Sequence, residues 1–219
     1  MAKAKTLIKI CGITTLDQAI CIAELGVNAI GIISVKESPR YVSPLKKKEI
    51  FKNLKEIYPN IKRVSVVKNL KIETISNDLI DYENVIQLHG DEDLEYCKDL
   101  KKGIQKVELW KAFRIKNKET VSKIESFKDH VDAVLLDSWN KETYGGSGIR
   151  INQKYLQEFR FSKPWWLAGG ISKDWAEEII TDIRPNGIDI SSSIEEYPGI
   201  KDISKTKELI SEINKYLQK

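Results

Sequence analysis

Short apolar runs alternate with amphipathic stretches eight times along this chain, and that rhythm most constrains what it can fold into. The runs lie at 7–11, 29–34, 63–67, 85–88, 106–113, 133–136, 165–168 and 187–190. They are continuous rather than alternating in hydrophobicity, as parallel strands are when both faces are covered. Between them the spacing predicts helices: one capped by Thr14 or Thr15 and stopped at Gly26, then 45–57, 72–80, one capped by Asp91 and running to about 100, 118–127, one starting near 152, 173–183, and 203–219. Eight strand–helix units of roughly 25 residues predict an α/β fold, a single (β/α)8 TIM barrel over residues 1–219. An open doubly wound sheet is the alternative.

Composition narrows the function. Apolar residues make up 41% of the 219, enough for a core, and charged residues 31%. The 36 basic and 32 acidic residues nearly balance, which argues against nucleic acid as a partner. Cys11, Cys21 and Cys97 make no metal spacing, and with only His89 and His130 no zinc set forms, so no metal is expected. Sparse, odd cysteines and the lack of a run near 20 apolar residues predict a cytoplasmic protein without a membrane span. A monomer is expected, with a dimer as the alternative.

The polar candidates all sit where a predicted strand ends, so a barrel would gather them at one mouth. Cys11, ahead of a glycine turn, and Asp137 would face each other there. A partly desolvated Asp donates a proton, and a thiol beside a cation such as Lys9 becomes a base. Gly169 and Gly170 expose backbone N–H groups, and Ser191, Ser192 and Ser193 add hydroxyls after the last strand; a short helix there would add its partial charge. Together these suit a phosphate. Arg40 offers a guanidinium fork for a carboxylate. His89 could bind substrate or brace its loop. Gly145-Gly146-Ser147-Gly148 lacks the Lys-Ser/Thr of a P-loop and reads as an active-site loop.

The strings KICGIT (9–14), SPRYVS (38–43), QLHGDE (87–92), LLDS (135–138), YGGSG (144–148), LAGGIS (167–172) and GIDISSSIEEYPGIKD (187–202), in this order, resemble the phosphoribosylanthranilate isomerases of tryptophan biosynthesis. The resemblance implies a TIM barrel and an Amadori rearrangement of a small phosphorylated substrate without metal or organic cofactor. It implies Asp137 as the acid that opens the sugar ring and Cys11 as the base at C2. It places Arg40 at the anthranilate carboxylate, Gly169, Gly170, Ser191 and Ser192 at the phosphate, and His89 and Asp189 in the substrate-binding set. Two segments depart from the pattern. Ser193 stands where the family usually has glycine. Ile149-Arg150-Ile151-Asn152-Gln153 replaces a segment with lysine and aspartate, and Arg150 is expected to restore part of that charge. An inactive barrel serving as a scaffold, a sugar-phosphate epimerase and an indole-glycerol-phosphate synthase are the competing readings. The epimerase lacks its metal ligands and the synthase its lysine–glutamate set.

Overall fold

The computed structural model describes residues 5–74, 82–138, 150–157 and 159–218. Strands β1 (Leu7–Cys11), β2 (Ala29–Ile33), β3 (Lys62–Val67), β4 (Val85–Leu88), β5 (Glu108–Ile115), β6 (Ala133–Ser138), β7 (Trp165–Ala168) and β8 (Gly187–Ile190) pair in parallel in chain order. β8 returns to β1 with Leu7 opposite Gly187 and Lys9 opposite Asp189. This closure excludes the open sheet.

The two faces of each strand explain the continuous apolar runs. Inward residues, among them Val64, Val85, Trp110, Ala133 and Trp166, fill the barrel. Outward residues, such as Ile8, Ile10, Ile30 and Ile32, pack beneath the helices. The Trp110 and Trp166 rings pack at a tilt of 31° with centroids 4.7 Å apart.

One repeated device fixes the strand register at the amino end. Asn28, Asn84, Asp132 and Asn186 each stand immediately before an even-numbered strand. Their side chains accept the backbone N–H of Ile8, Arg63, Leu109 and Trp165, at 2.9, 2.9, 2.7 and 2.9 Å. Each odd strand is thereby tied at its start to the strand that follows it.

The helices are α1 (Leu16–Glu24), α2 (Pro44–Ile57), α3 (Leu94–Gly103), α4 (Lys118–Lys123), α5 (Gln153–Gln157), α6 (Lys173–Glu178) and α7 (Ile203–Leu217). Thr15 caps α1 by accepting from the Gln18 N–H, and Gly26 ends it at φ +77°. Asp93 caps α3, not Asp91, whose carboxylate instead pairs with Arg114. The helix expected over 118–127 tightens into a 3₁₀ turn at Ile124–Phe127, and that over 173–183 widens into a π turn at Ile179–Ile183. Of the helix expected over 72–80, Ile72–Thr74 is a 3₁₀ turn and the rest lies outside the described residues. β6 reaches Ser138, beyond the expected end, so Asp137 belongs to the strand itself. Between β8 and α7 stand a 3₁₀ turn, Ser192–Ile194, in place of the short helix expected there, and an unforeseen hairpin of β9 (Glu195–Tyr197) and β10 (Ile200–Lys201). No helix among the described residues is long and apolar enough to cross a membrane.

Candidate active site

At the carboxyl ends of the strands opens a cavity of about 540 Å³. Its walls include ten of the residues singled out above: Cys11, Arg40, His89, Asp137, Gly169, Gly170, Asp189, Ser191, Ser192 and Ser193. The convergence follows from period two. Lys9 and Cys11 share the inner face of β1, as do Gln87 and His89 at β4, Leu135 and Asp137 on β6, and Gly187 and Asp189 on β8.

Asp137 is buried, and its two oxygens have separate partners. Oδ1 accepts the Ser138 N–H at 2.8 Å, while Oδ2 lies 3.3 Å from His89 Nε2. The turn after β7 presses close. Gly169 has φ +85°, and a Cβ there would stand 2.6 Å from Ser138 Oγ and 3.0 Å from Asp137 Oδ1. Only glycine fits both the conformation and the space.

Cys11 is buried across the mouth. Gly31 on β2 makes room for it: a Cβ at Gly31 would lie 2.8 Å from Cys11 Sγ and 3.1 Å from Lys9 Nζ. Sequence reasoning expected Lys9 to bring the thiol down. The structure reverses that expectation. Burial pushes the thiol up, and Lys9 and Lys201 offset this only in part. Lys9 itself spends much of its charge on Asp189, whose Oδ2 it reaches at 2.8 Å. Burial depresses Lys9, but Asp189 and Cys11 outweigh it and hold the ammonium above its ordinary range. Burial also raises Asp189 against the pull of Lys9.

Arg40 does grip a carboxylate through two parallel hydrogen bonds, but it is the protein's own. Nε and Nη2 donate to the two oxygens of Glu195 at 2.8 and 2.6 Å. A guanidinium has five N–H donors, so three remain for a ligand. Glu195 also accepts from Lys201 Nζ and from the Gly199 N–H. Lys201 Nζ donates in addition to the Ser191 backbone oxygen at 3.0 Å. Sequence reasoning missed Glu195 and Lys201 because a hairpin carries them, and only the fold turns it back over the mouth.

The residues expected at a phosphate line the β7–β8 side of the cavity. Gly169 and Gly170 both adopt positive φ, and Ser191, Ser192 and Ser193 stand opposite. The Ser191 hydroxyl is already engaged, donating to the Cys11 backbone oxygen at 3.1 Å. Arg150 donates to Ser172 at 3.0 Å and lies over the Trp175 ring, beside α6. Gly145–Gly148 lies outside the described residues. Among the described residues no cluster of three His, Cys, Asp or Glu is disposed to hold a metal ion.

The arrangement places a carboxyl, a thiol, a guanidinium and a set of hydroxyls and backbone N–H groups around one cavity. Comparisons with known proteins point the same way. The family model described as N-(5'phosphoribosyl)anthranilate (PRA) isomerase matches residues 8–212. An N-(5'-phosphoribosyl)anthranilate isomerase of Rippkaea orientalis is 38% identical over 97% of this chain and 98% of its own. One from Synechococcus elongatus is 40% identical over 94% and 95%. Among solved structures, the phosphoribosyl anthranilate isomerase of Thermus thermophilus superposes with TM-score 0.80 at 27% identity, covering 96% of this chain and 99% of that one. A phosphoribosyl anthranilate isomerase in complex with reduced 1-(o-carboxyphenylamino)-1-deoxyribulose 5-phosphate gives 0.78 at 30%, with 96% and 99% covered.

Proposed function

Because this chain belongs to the N-(5'-phosphoribosyl)anthranilate isomerase family, we propose that Asp137 and Cys11 divide the acid and base work of its reaction. The enzyme carries out the Amadori rearrangement of N-(5-phosphoribosyl)anthranilate to 1-(2-carboxyphenylamino)-1-deoxyribulose 5-phosphate in tryptophan biosynthesis. The single observation that carries the assignment is the placement of Asp137 and Cys11 on the inner faces of β6 and β1, around one cavity whose β7–β8 side is built for an anion.

Asp137 supplies the acid proton, its carboxyl held by the Ser138 N–H at Oδ1 and by His89 at Oδ2. It protonates the furanose ring oxygen, and the ring opens to an iminium. Cys11 Sγ then takes the proton from C2 of the sugar, the C–H electron pair neutralises the iminium, and the enolamine tautomerises to the ketone. One proton enters and one leaves, so the step is an isomerisation needing no co-reactant. A thiol raised by burial is ionised less often but is the stronger base when it is. Gly169, Gly170, Ser191 and Ser192 receive the phosphate, and backbone N–H groups suit its charge. Arg40, held by Glu195, turns its remaining N–H groups to the anthranilate carboxylate. His89 and Asp189 complete the substrate-binding wall. All these residues come from one chain, so a monomeric unit spanning the whole barrel has a complete site, and a reducing cytoplasm suits its three free thiols.

The test is loss of substrate fluorescence, with the substrate made in the cuvette from anthranilate and phosphoribosyl pyrophosphate. The wild-type chain consumes it rapidly, and Cys11→Ala and Asp137→Asn do not, while both keep the wild-type circular dichroism. Turnover within tenfold of wild type in either variant overturns that residue's role.

A further inference from the structure

Gln87 is wholly buried on the inner face of β4, two residues before His89. Its amide nitrogen Nε2 lies 3.1 Å from His89 Nδ1, and the other ring nitrogen, Nε2, faces Asp137 Oδ2 at 3.3 Å. An amide nitrogen only donates. The Nδ1 atom that meets it is therefore the acceptor, and a neutral imidazole then carries its one proton on Nε2, towards Asp137. Asp137 thus receives two hydrogen bonds, from the Ser138 N–H at Oδ1 and from His89 at Oδ2.

The alternative tautomer would do the opposite. With Nε2 bare, the ring would accept the acid's proton, and a proton meant for substrate would rest on the imidazole. The carboxylates of Asp137 on β6 and Asp189 on β8 both act on this ring. A second ring proton at Nδ1 would confront the Gln87 N–H.

A further observation separates Gln87 from a packing residue. Its Oε1 is buried with no hydrogen-bond partner among the described residues. Leaving a buried acceptor unmet costs stability that an apolar side chain of the same shape would not incur. We propose that Gln87 is a positioning residue that locks His89 in the Nε2–H tautomer, so that His89 steadies Asp137 without competing for its proton. The inference rests on the reading of Asp137 as the acid.

The chain has only two histidines, His89 and His130, so ¹⁵N-histidine labelling with His130→Asn for assignment reads the ring directly. Two-bond ¹H–¹⁵N spectra of the wild type at neutral pH are expected to show a protonated Nε2 and a bare Nδ1 on His89. Gln87→Met keeps the shape without the donor; it should mix the tautomers and lower kcat about tenfold with KM within about twofold. Gln87→Glu is closer in shape but places an acceptor at Nδ1; it should draw the proton there and lower kcat about a hundredfold. A purely structural role also makes Gln87→Glu the poorer variant, since it buries a carboxyl, but it leaves the His89 tautomer unchanged in both variants, so the tautomer is what separates the two roles. A wild-type Nδ1–H tautomer, an unchanged tautomer in both variants, or Gln87→Glu more active than Gln87→Met overturns the proposal. Should the variants fail to fold, the wild-type spectrum alone decides. Asp137→Asn tests the acid separately: its retained turnover would remove the acid and leave the tautomer result standing.

Discussion

Lys9 Nζ and Asp189 Oδ2 are joined at 2.8 Å inside the barrel, in register on β1 and β8, one inward position below Cys11 and Ser191. Both side chains are nearly or wholly out of solvent. Removing one partner from such a pair strands a buried charge, which typically costs about 3–5 kcal/mol, whereas replacing both by apolar groups is often neutral. Lys9→Met should therefore lower unfolding stability by about 3–5 kcal/mol in urea, and Lys9→Met with Asp189→Leu should recover most of that loss. Should Lys9→Met lose less than about 1 kcal/mol, Asp189 has escaped the penalty by taking up a proton.

Glu195 is the hub that aims Arg40. It receives two hydrogen bonds from the guanidinium, one from Lys201 and one from the Gly199 N–H. Glu195→Gln keeps the volume but turns one acceptor into a donor facing a cation. Arg40 is then free to sample other rotamers, and the anthranilate carboxylate meets a less ordered fork. KM should rise about tenfold while kcat changes less than threefold, which steady-state kinetics would resolve. A fall in kcat with KM unchanged would mean that Arg40 acts on the transition state rather than on binding.

The strands were legible because two-sided burial leaves an unmistakable trace: 85–88, 165–168 and 187–190 were bounded correctly from apolar runs alone. The last turn of β6 was not, because Asp137 and Ser138 are polar and only the cavity explains a buried polar strand end. The site's rim was read from residues at strand ends, and its supports were not. Lys9 was read as the neighbour of Cys11 but not as the partner of Asp189, Gln87 meets His89 only because the strand puts both on its inner face, and Glu195 reaches Arg40 from 155 residues away. The register ties had a local signal that went unread, an Asn or Asp immediately before each even strand. The direction of the Cys11 shift failed for a general reason. A sequence shows the neighbouring cation but not the desolvation, and here desolvation is the larger effect.

Alkaline pH should expose a second buried thiol. Burial raises Cys97 on α3 from 9.0 to about 12, and raises the adjacent Tyr96 hydroxyl, which donates to the Leu70 oxygen, from 10.0 to about 12. Below the unfolded values both states hold these protons, and the contribution to stability is complete. As pH rises past about 9 the unfolded chain loses the Cys97 proton first, so the native state, which still binds it, is progressively disfavoured up to about pH 12. The slope is about 1.4 kcal/mol per pH unit for one such group. Between pH 8 and 10.5, Cys97→Val should lose about 2 kcal/mol less than the wild type in urea unfolding. Parallel pH curves for the two proteins would show that the thiol ionises alike in both states.

Gly169 brings the turn after β7 against Asp137. Its φ of +85° excludes most side chains, and a Cβ would stand 2.6 Å from Ser138 Oγ, 2.9 Å from Ser138 Cβ and 3.0 Å from Asp137 Oδ1. Alanine at a positive φ costs about 1 kcal/mol or more before any contact is counted, so Gly169→Ala should destabilise by about 1–3 kcal/mol. The added methyl must also push Ser138 or Asp137 aside, and a displaced acid should lower kcat at least about tenfold. Adding Ser138→Ala removes the nearest contact but neither the Cβ clash nor the backbone strain. The double variant should therefore regain part of kcat and little stability, as stopped-flow turnover and urea unfolding would show. A kcat for Gly169→Ala within about twofold of wild type would mean that the turn after β7 does not set the position of Asp137.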